Sequence, residues 1–347
     1  MNGGGLARYT KIFLPTFGSG ADKGQMQLGG IVARAYNNKN LDHIPEFTTC
    51  LPSKHEYAKF IPQDDPRVRA WIGQNADKHA KYVTSRNTMY ALWDEFKGKT
   101  AILVLAGPSA AGIAERLKPY RDNPDVKVFT LNRSAHAVPD ADFFICFEQL
   151  CPPEYFDHLD PKRTTLLTCP CARAELAEKW KGENAYYAYM GDMRAPNDPR
   201  WDHLPLLYSA LATCVTSLQM IYHMGFQNIL VVGGDFALGG PLEGNEQCPI
   251  SGGMFYFDGT RWERESEPKN GSYYNGCDAI LCWGIAGEQC ATFPMMFRHM
   301  HAFACVMEML TEAGLNVKNC SGQGILDFNV ANLEESMKAL EPVEIAI

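Results

Sequence analysis

The sequence lacks most of the short patterns that assign a chain to a class at sight. It has no Cys-x-x-Cys pair, although it holds 12 cysteines in 347 residues. Cys169 and Cys171 are separated by one residue, and Cys277, Cys282 and Cys290 have irregular spacing. Structural zinc sites use tighter pairs, so a metal cluster is not expected and no metal ligand is assigned. A disulfide scaffold is excluded by the chain's size and by the reducing compartment expected for it. Cys146, Cys214 and Cys305 lie inside apolar runs and read as buried thiols. An excess of positive charge is also missing: 32 Lys and Arg face 40 Asp and Glu, a net charge of −8. Extensive contact with nucleic acid needs clustered cations, so it is not expected. No apolar run approaches the roughly 18–20 residues of a membrane span. The start, MNGGGLARYTKIF, has no long apolar core and does not read as a secretory signal. Repeats and low-complexity tracts are lacking too. The expectation is a cytoplasmic globular protein.

What is present begins at GKTAILVLAGPSAAGIAERL, residues 98–117. An apolar run from Ala101 to Leu105 stops at Gly107-Pro108-Ser109 and is followed by a helix-compatible stretch. This reads as a buried strand, a tight turn and a helix. In α/β proteins the helix N-terminus past a strand's carboxyl end favours phosphate. No Gly-Lys-Ser/Thr follows, so it is not a P-loop, and the GxGxxG spacing of the dinucleotide fingerprint is missing.

Further strands are expected at Val126–Leu131, Phe143–Phe147, Thr165–Thr168, Ala185–Tyr189 and Ile229–Val232, with NVKNCSGQGI as a last strand and turn. Helices are expected at Ala110–Tyr120, Arg173–Lys181, Leu206–Met224 and Pro294–Ala313. Short apolar strands alternating with helices imply an α/β fold, Rossmann-like, with a mostly parallel sheet covered on both faces. Three regions accompany the sheet. Residues 1–95 read as a mostly helical N-terminal subdomain, with helices from Pro66 and over Ser85–Phe96. The Rossmann-like domain spans 96–335, and 336–347 form a tail. An insertion at about 238–290 breaks the rhythm, and its MFYFDGTRWERE segment reads as a hairpin turning at Asp258-Gly259. The insertion is read as a lid or acceptor-binding flap, or as an arm contacting a second copy in a homo-oligomer.

Candidate site residues cluster at strand ends. Gly107 permits close backbone approach, Pro108 stiffens the turn and Ser109 can cap or donate. Asn132 and Arg133 follow the second strand, where they suit a base, ribose or phosphate. Glu148 sits just past the third. Thr213 lies in the small-residue start of an apolar helix. Gly233-Gly234-Asp235 ends the strand after it, and Asp235 is placed to bind ribose, a metal or an acceptor. On the helix from Pro294, His299 and His301 lie two apart and point about 200° from each other. They are not paired for a metal, and at most one faces the crevice, as a general base.

Taken in order, Gly107-Pro108-Ser109, the strand ending at Asn132, Pro139-Asp140 before a strand, GFQNILVVGGDFAL and a last Asn-x-Ser-x-x-Gly element, Asn319 to Gly324, resemble one superfamily. It is the motility accessory factor and archaeal 6-hydroxymethylpterin diphosphokinase-like superfamily. The same segments are similar to the bacterial sialyltransferases of the Campylobacter type. The resemblance covers about residues 85–325 and implies a nucleotide over Gly107–Ser109, Asn132 and Gly234-Asp235. In one branch a CMP-activated sugar is the donor and a His acts as base without metal. In the other, ATP with Mg²⁺ transfers a diphosphate to a pterin-like molecule. The sialyltransferases carry a Tyr soon after the Gly-x-Asp, where this chain has Ala237 and Leu238. Their catalytic His corresponds to the Phe297–His301 region. The leading expectation is a glycosyltransferase with a nucleotide-sugar donor as substrate, a small-molecule or glycan acceptor and no tightly bound cofactor. The alternatives are the diphosphokinase and a non-catalytic nucleotide-binding protein on the same fold.

Overall fold

A computed structural model describes residues 66–148, 151, 153–190, 199–208, 212–237, 246–248, 253–257, 262–264, 280–287, 289–292 and 294–340. The first 65 residues of the expected N-terminal subdomain lie outside the described residues, as do 341–347 of the tail.

The centre is a parallel sheet. Its strands in chain order include β1 (Thr100–Val104), β2 (Val126–Leu131), β3 (Phe143–Cys146), β4 (Thr165–Thr168) and β5 (Asn184–Tyr186). Two short strands, β6 (Ala188–Met190) and β7 (Leu206–Tyr208), pair outside it, and β8 (Asn228–Val232) returns to it. The insertion contributes β9 (Glu246–Cys248), β10 (Gly253–Phe257), β11 (Trp262–Arg264), β12 (Ile280–Trp283) and β13 (Gln289–Thr292). The last strand is β14 (Asn316–Asn319). The seven-stranded order is β14-β8-β1-β2-β3-β4-β5, so the chain winds outward from β1 to β5 and then crosses to the other side of β1. The reversal lies between β1 and β8, which pair in parallel from Thr100 with Asn228 to Val104 with Val232. Loops diverge at such a switch point and leave a crevice at the carboxyl ends.

Both faces are covered, and the side-chain alternation shows why. Ala101, Leu103 and Leu105 face one apolar core, while Ile102 and Val104 face a second. The larger core takes α1 (Pro66–His79), α3 (Ala174–Lys179), α4 (Thr213–His223) and α5 (Pro294–Glu312). The smaller takes α2 (Ile113–Leu117) and α6 (Leu333–Lys338), through Ile113, Leu117, Leu333 and Met337. Helix α6 runs across the expected start of the tail at 336, because its Met337 is buried in that core. Among the described residues no helix is long and apolar enough to cross a membrane.

Four expectations need correction. The helix Ala110–Tyr120 is broken into a 3-10 turn at Pro108–Ala110, the short α2, and a second 3-10 turn at Lys118–Tyr120. Gly112, at φ +72°, breaks the first join, and Pro119 stiffens the second. The helix Leu206–Met224 starts only at Thr213, because Leu206–Tyr208 pairs with Ala188–Met190 as a strand. The Ser85–Phe96 helix is one 3-10 turn, Met89–Leu92, with Asp94 at φ +63° beyond it. The Ala185–Tyr189 strand divides into β5 and β6. Elsewhere α4 ends at Gly225, φ +92°, as its glycine signal implies. The MFYFDGTRWERE hairpin pairs as β10 and β11, and its turn at Asp258-Gly259 lies outside the described residues.

Helix α1 is pinned to the sheet by His79, which is fully buried. Its Nε2 donates to the Ala172 carbonyl at 3.0 Å, and its Nδ1 accepts from the Tyr186 hydroxyl at 3.2 Å. A carbonyl can only accept, which fixes the neutral tautomer. Burial holds this imidazole down to about 4, and burial does the same to His301. Both folded values lie below the unfolded value of about 6.5. Their stabilisation is therefore present above pH 6.5 and is lost as pH falls toward 4. Glu148, whose carboxyl burial pushes up, works in the opposite sense. Each histidine gives a slope approaching about 1.4 kcal/mol per pH unit inside that window. Unfolding midpoints measured between pH 7 and 4.5 are expected to fall on acidification, and a flat profile would contradict this account.

Candidate functional site

At the carboxyl ends of β1 and β8 the two expected turns lock together. Gly107 N–H donates to the Gly233 carbonyl at 2.9 Å. Asp235, only 1% exposed, turns its carboxylate onto Ser109. The Ser109 amide donates to Oδ2 at 2.7 Å, and the Ser109 hydroxyl donates to Oδ1. Gln323 Nε2 adds a third bond to Oδ2 at 3.2 Å. From the turn after β14, Ser321 Oγ accepts from the Gly234 amide at 2.8 Å, and Ile325 N–H donates to the Asp235 carbonyl at 2.8 Å. The anion on the Gly-Pro-Ser turn is thus the chain's own carboxylate. The sequence suggests an external phosphate there because the amide and the helix after it look available. In the fold the amide is taken, and α2, five residues long, starts only at Ile113.

Phe236, directly after Asp235, has φ +48°, a strained region for a bulky side chain. Such outliers persist where surrounding structure over-determines them, commonly at functional sites. Here Thr292 Oγ1 donates to the Phe236 carbonyl at 2.6 Å, and Ile285 N–H donates to the Gly324 carbonyl at 2.8 Å. The β12–β13 hairpin, the end of the insertion, therefore borders the Asp235 turn.

One strand further along, Asn132 follows β2 with φ +49°. Its Nδ2 donates to Glu148 Oε1 and, at 3.3 Å, to Thr213 Oγ1 at the start of α4. Its Oδ1 is buried and has no hydrogen-bond partner among the described residues. Burial pushes the Glu148 carboxyl up, against the pull of Arg133 and the Asn132 bond. Arg133 does not point into the crevice as a free cation. Its Nε donates to the Tyr155 hydroxyl, and its guanidinium lies 5.4 Å from the Tyr155 ring centroid. Burial, then the Glu148 charge, pushes the Tyr155 hydroxyl up to about 12.

The two histidines of α5 separate as their spacing implies. His301 is 4% exposed, and His299 is half-buried. Phe303 packs on Phe236 with ring centroids 5.5 Å apart. His299 lies four residues before Phe303, one turn away on the same helix face. That face is the one turned toward the residue after Asp235.

The structure thus brings Gly107, Pro108, Ser109, Asn132, Thr213, Gly234 and Asp235 to the carboxyl ends of neighbouring strands. Sequence reading picks out the Asn319-x-Ser321-x-x-Gly324 element but does not assign Ser321 or Gln323 to the site, where they bond the Gly234 amide and the Asp235 carboxylate. The glycines around them, Gly322 at φ +77° and Gly324 at φ +87°, were the available signal of a special turn.

Residues 74–240, a little under half of the chain, match a family described as 6-hydroxymethylpterin diphosphokinase MptE-like. The match contains Gly107–Ser109, Asn132, Glu148, Thr213 and Asp235, and stops short of His299 and His301. A similar solved structure is the MAf glycosyltransferase from Magnetospirillum magneticum AMB-1. The identity is 14%, the TM-score 0.47, and the alignment covers 75% of this chain but 38% of that one. At that distance the likeness bears on no residue of the site. Comparison with curated proteins gives no match.

Proposed function

We propose that this chain, whose residues 74–240 match a family described as 6-hydroxymethylpterin diphosphokinase MptE-like, is a nucleotide-dependent transferase. The preferred reaction is glycosyl transfer from a nucleotide-activated sugar of the CMP type. The observation that carries this is the polar cluster just past the carboxyl ends of β2 and β3, beside the switch point between β1 and β8. There Asn132 Oδ1 is a buried acceptor without a partner among the described residues, beside Glu148 and Thr213 and one strand from the locked Ser109–Asp235 turn. Ligands of open α/β sheets bind at such a place.

In this reading Asn132 and Thr213 contact the nucleotide. Gly107, Pro108, Ser109, Gly234 and Asp235 form a rigid wall rather than a phosphate cradle. Arg133, held on Tyr155, lies beside Glu148. His299, on the Phe303 face of α5 and half-buried, deprotonates the acceptor hydroxyl, while His301 packs in the interior. A positioned base of this kind contributes about 10²–10⁴-fold in rate. The hairpin beside Phe236 and Gly324 shields the reacting centre from water, which limits donor hydrolysis.

The family description favours a second reading, diphosphate transfer from ATP with Mg²⁺ to a pterin-like molecule. Mg²⁺ is held through carboxylate and phosphate oxygens. Asp235 is already bound by Ser109 and Gln323, and Glu148 by Asn132. Among the described residues no three His, Cys, Asp or Glu side chains are grouped to hold an ion. The residues in place therefore fit the metal poorly.

Thermal unfolding with CMP, UDP, ATP and ATP–Mg²⁺ separates the readings, because stabilisation follows RT ln(1 + [L]/Kd). A rise with CMP and no metal is the expected result. A rise only with ATP–Mg²⁺ would replace glycosyl transfer by the diphosphokinase, and no rise with any nucleotide would overturn both.

A further inference from the structure

We propose that Glu148 and Asn132 together read a vicinal diol, the 2′- and 3′-hydroxyls of the nucleotide's ribose, at the carboxyl ends of β2 and β3. The inference rests on the nucleotide reading above and names which of its atoms the site selects. The starting point is Asn132. Both of its Nδ2 interactions are internal, one to Glu148 Oε1 and one to Thr213 Oγ1, whereas its Oδ1 is buried with no partner among the described residues. A buried carbonyl oxygen left unpaired costs about 1–3 kcal/mol, and native structures rarely keep one without reason. The left-handed backbone at Asn132, φ +49°, holds the side chain in this arrangement despite that cost.

Glu148 is the second half of the pair. Although the residue is only half-buried, burial around its carboxyl disfavours the charged form. Hydroxyl donors would compensate that desolvation, as hydrogen bonds to a charged acceptor are the stronger ones. The Asn132 Nδ2–Glu148 Oε1 bond holds the Asn132 amide group, which carries Oδ1, against the Glu148 carboxyl. Two neighbouring acceptors are complementary to two hydroxyls on adjacent carbons.

Competing occupants fit less well. A cation would face the Nδ2 donor group of Asn132 and the nearby charge of Arg133. The amino group of a stacked base would need an open aromatic face, and Arg133 already covers the Tyr155 ring. Asp235, the earlier candidate for ribose, has its carboxylate engaged with Ser109 and Gln323.

The test is calorimetric titration of the full chain with CMP and 2′-deoxy-CMP, and with ATP and 2′-deoxy-ATP, on wild type and Glu148→Gln. The wild type is expected to bind the ribonucleotide at least tenfold more tightly than its deoxy form. In Glu148→Gln the ribonucleotide weakens while the deoxy form is unchanged, so the ratio shrinks toward one. Equal wild-type binding of the two forms overturns the diol assignment while leaving the nucleotide reading intact, and it needs no variant. Equal weakening of both forms by Glu148→Gln also overturns it. If none of the four nucleotides binds, the nucleotide reading itself falls and the diol assignment with it.

Discussion

Gly107→Ala is expected to lose about 3 kcal/mol of folding stability, at the upper end for overpacking. The residue has an ordinary backbone, φ −73° and ψ 159°, so the cost is not conformational. It is steric. An added Cβ would lie 2.4 Å from the Gly233 carbonyl oxygen, 2.8 Å from Asp235 Cγ and 2.9 Å from Asp235 Cβ. The first neighbour is backbone, fixed by β8, and Gly233 itself lies at φ +70° against the Leu105 carbonyl. Neither strand can retreat without breaking the parallel pairing of β1 and β8. Urea unfolding measures the effect, and a loss under about 1 kcal/mol would show that the two turns are not locked.

Asp235→Ala is expected to cost about 3–5 kcal/mol, the range for removing one partner of a buried charged network. It leaves the Ser109 amide, the Ser109 hydroxyl and Gln323 Nε2 without their acceptor at a position 1% exposed. Asp235→Asn keeps the shape and one oxygen and should cost less. The two lesions also interact. Two of the three contacts that penalise Gly107→Ala are with the Asp235 side chain beyond or at Cβ, and truncation relieves the Cγ clash. The double variant should therefore be less destabilised than the sum, by more than about 0.5 kcal/mol. Strict additivity would mean that the turns stand independently.

How far this could be read from the sequence differs by element. The strands β1, β2, β3, β4 and β8 were legible because each is a short apolar run closed by Gly, Asn, Glu or Thr at its end. Helix bounds were less legible. Leu206–Tyr208 looks like the start of α4 by hydropathy, yet it pairs with β6, a contact that local pattern cannot show. The run after Ser109 has good helix formers, but Gly112 at φ +72° splits it.

The site divides in the same way. That Gly107, Asn132, Thr213 and Asp235 gather at the carboxyl edge of the sheet follows from their places at strand ends and a helix start. That Asp235 is spent on Ser109 does not, because the partners are 126 positions apart in sequence. The Gln323 and Ser321 contacts depend on β14 lying beside β8, which only the sheet order reveals. The histidine pair was separated by helical spacing alone. Its assignment to the two faces needed the Phe303–Phe236 contact.

The central claim is that the carboxyl ends of β1, β2 and β3 form a nucleotide site whose β1–β8 turn is closed by the chain's own carboxylate. A crystal structure with bound CMP tests it most directly. The account predicts ribose against Asn132 and Glu148, with the Asp235 carboxylate still on the Ser109 amide. A nucleotide elsewhere, or a phosphate that has displaced Asp235 from Ser109, would contradict it.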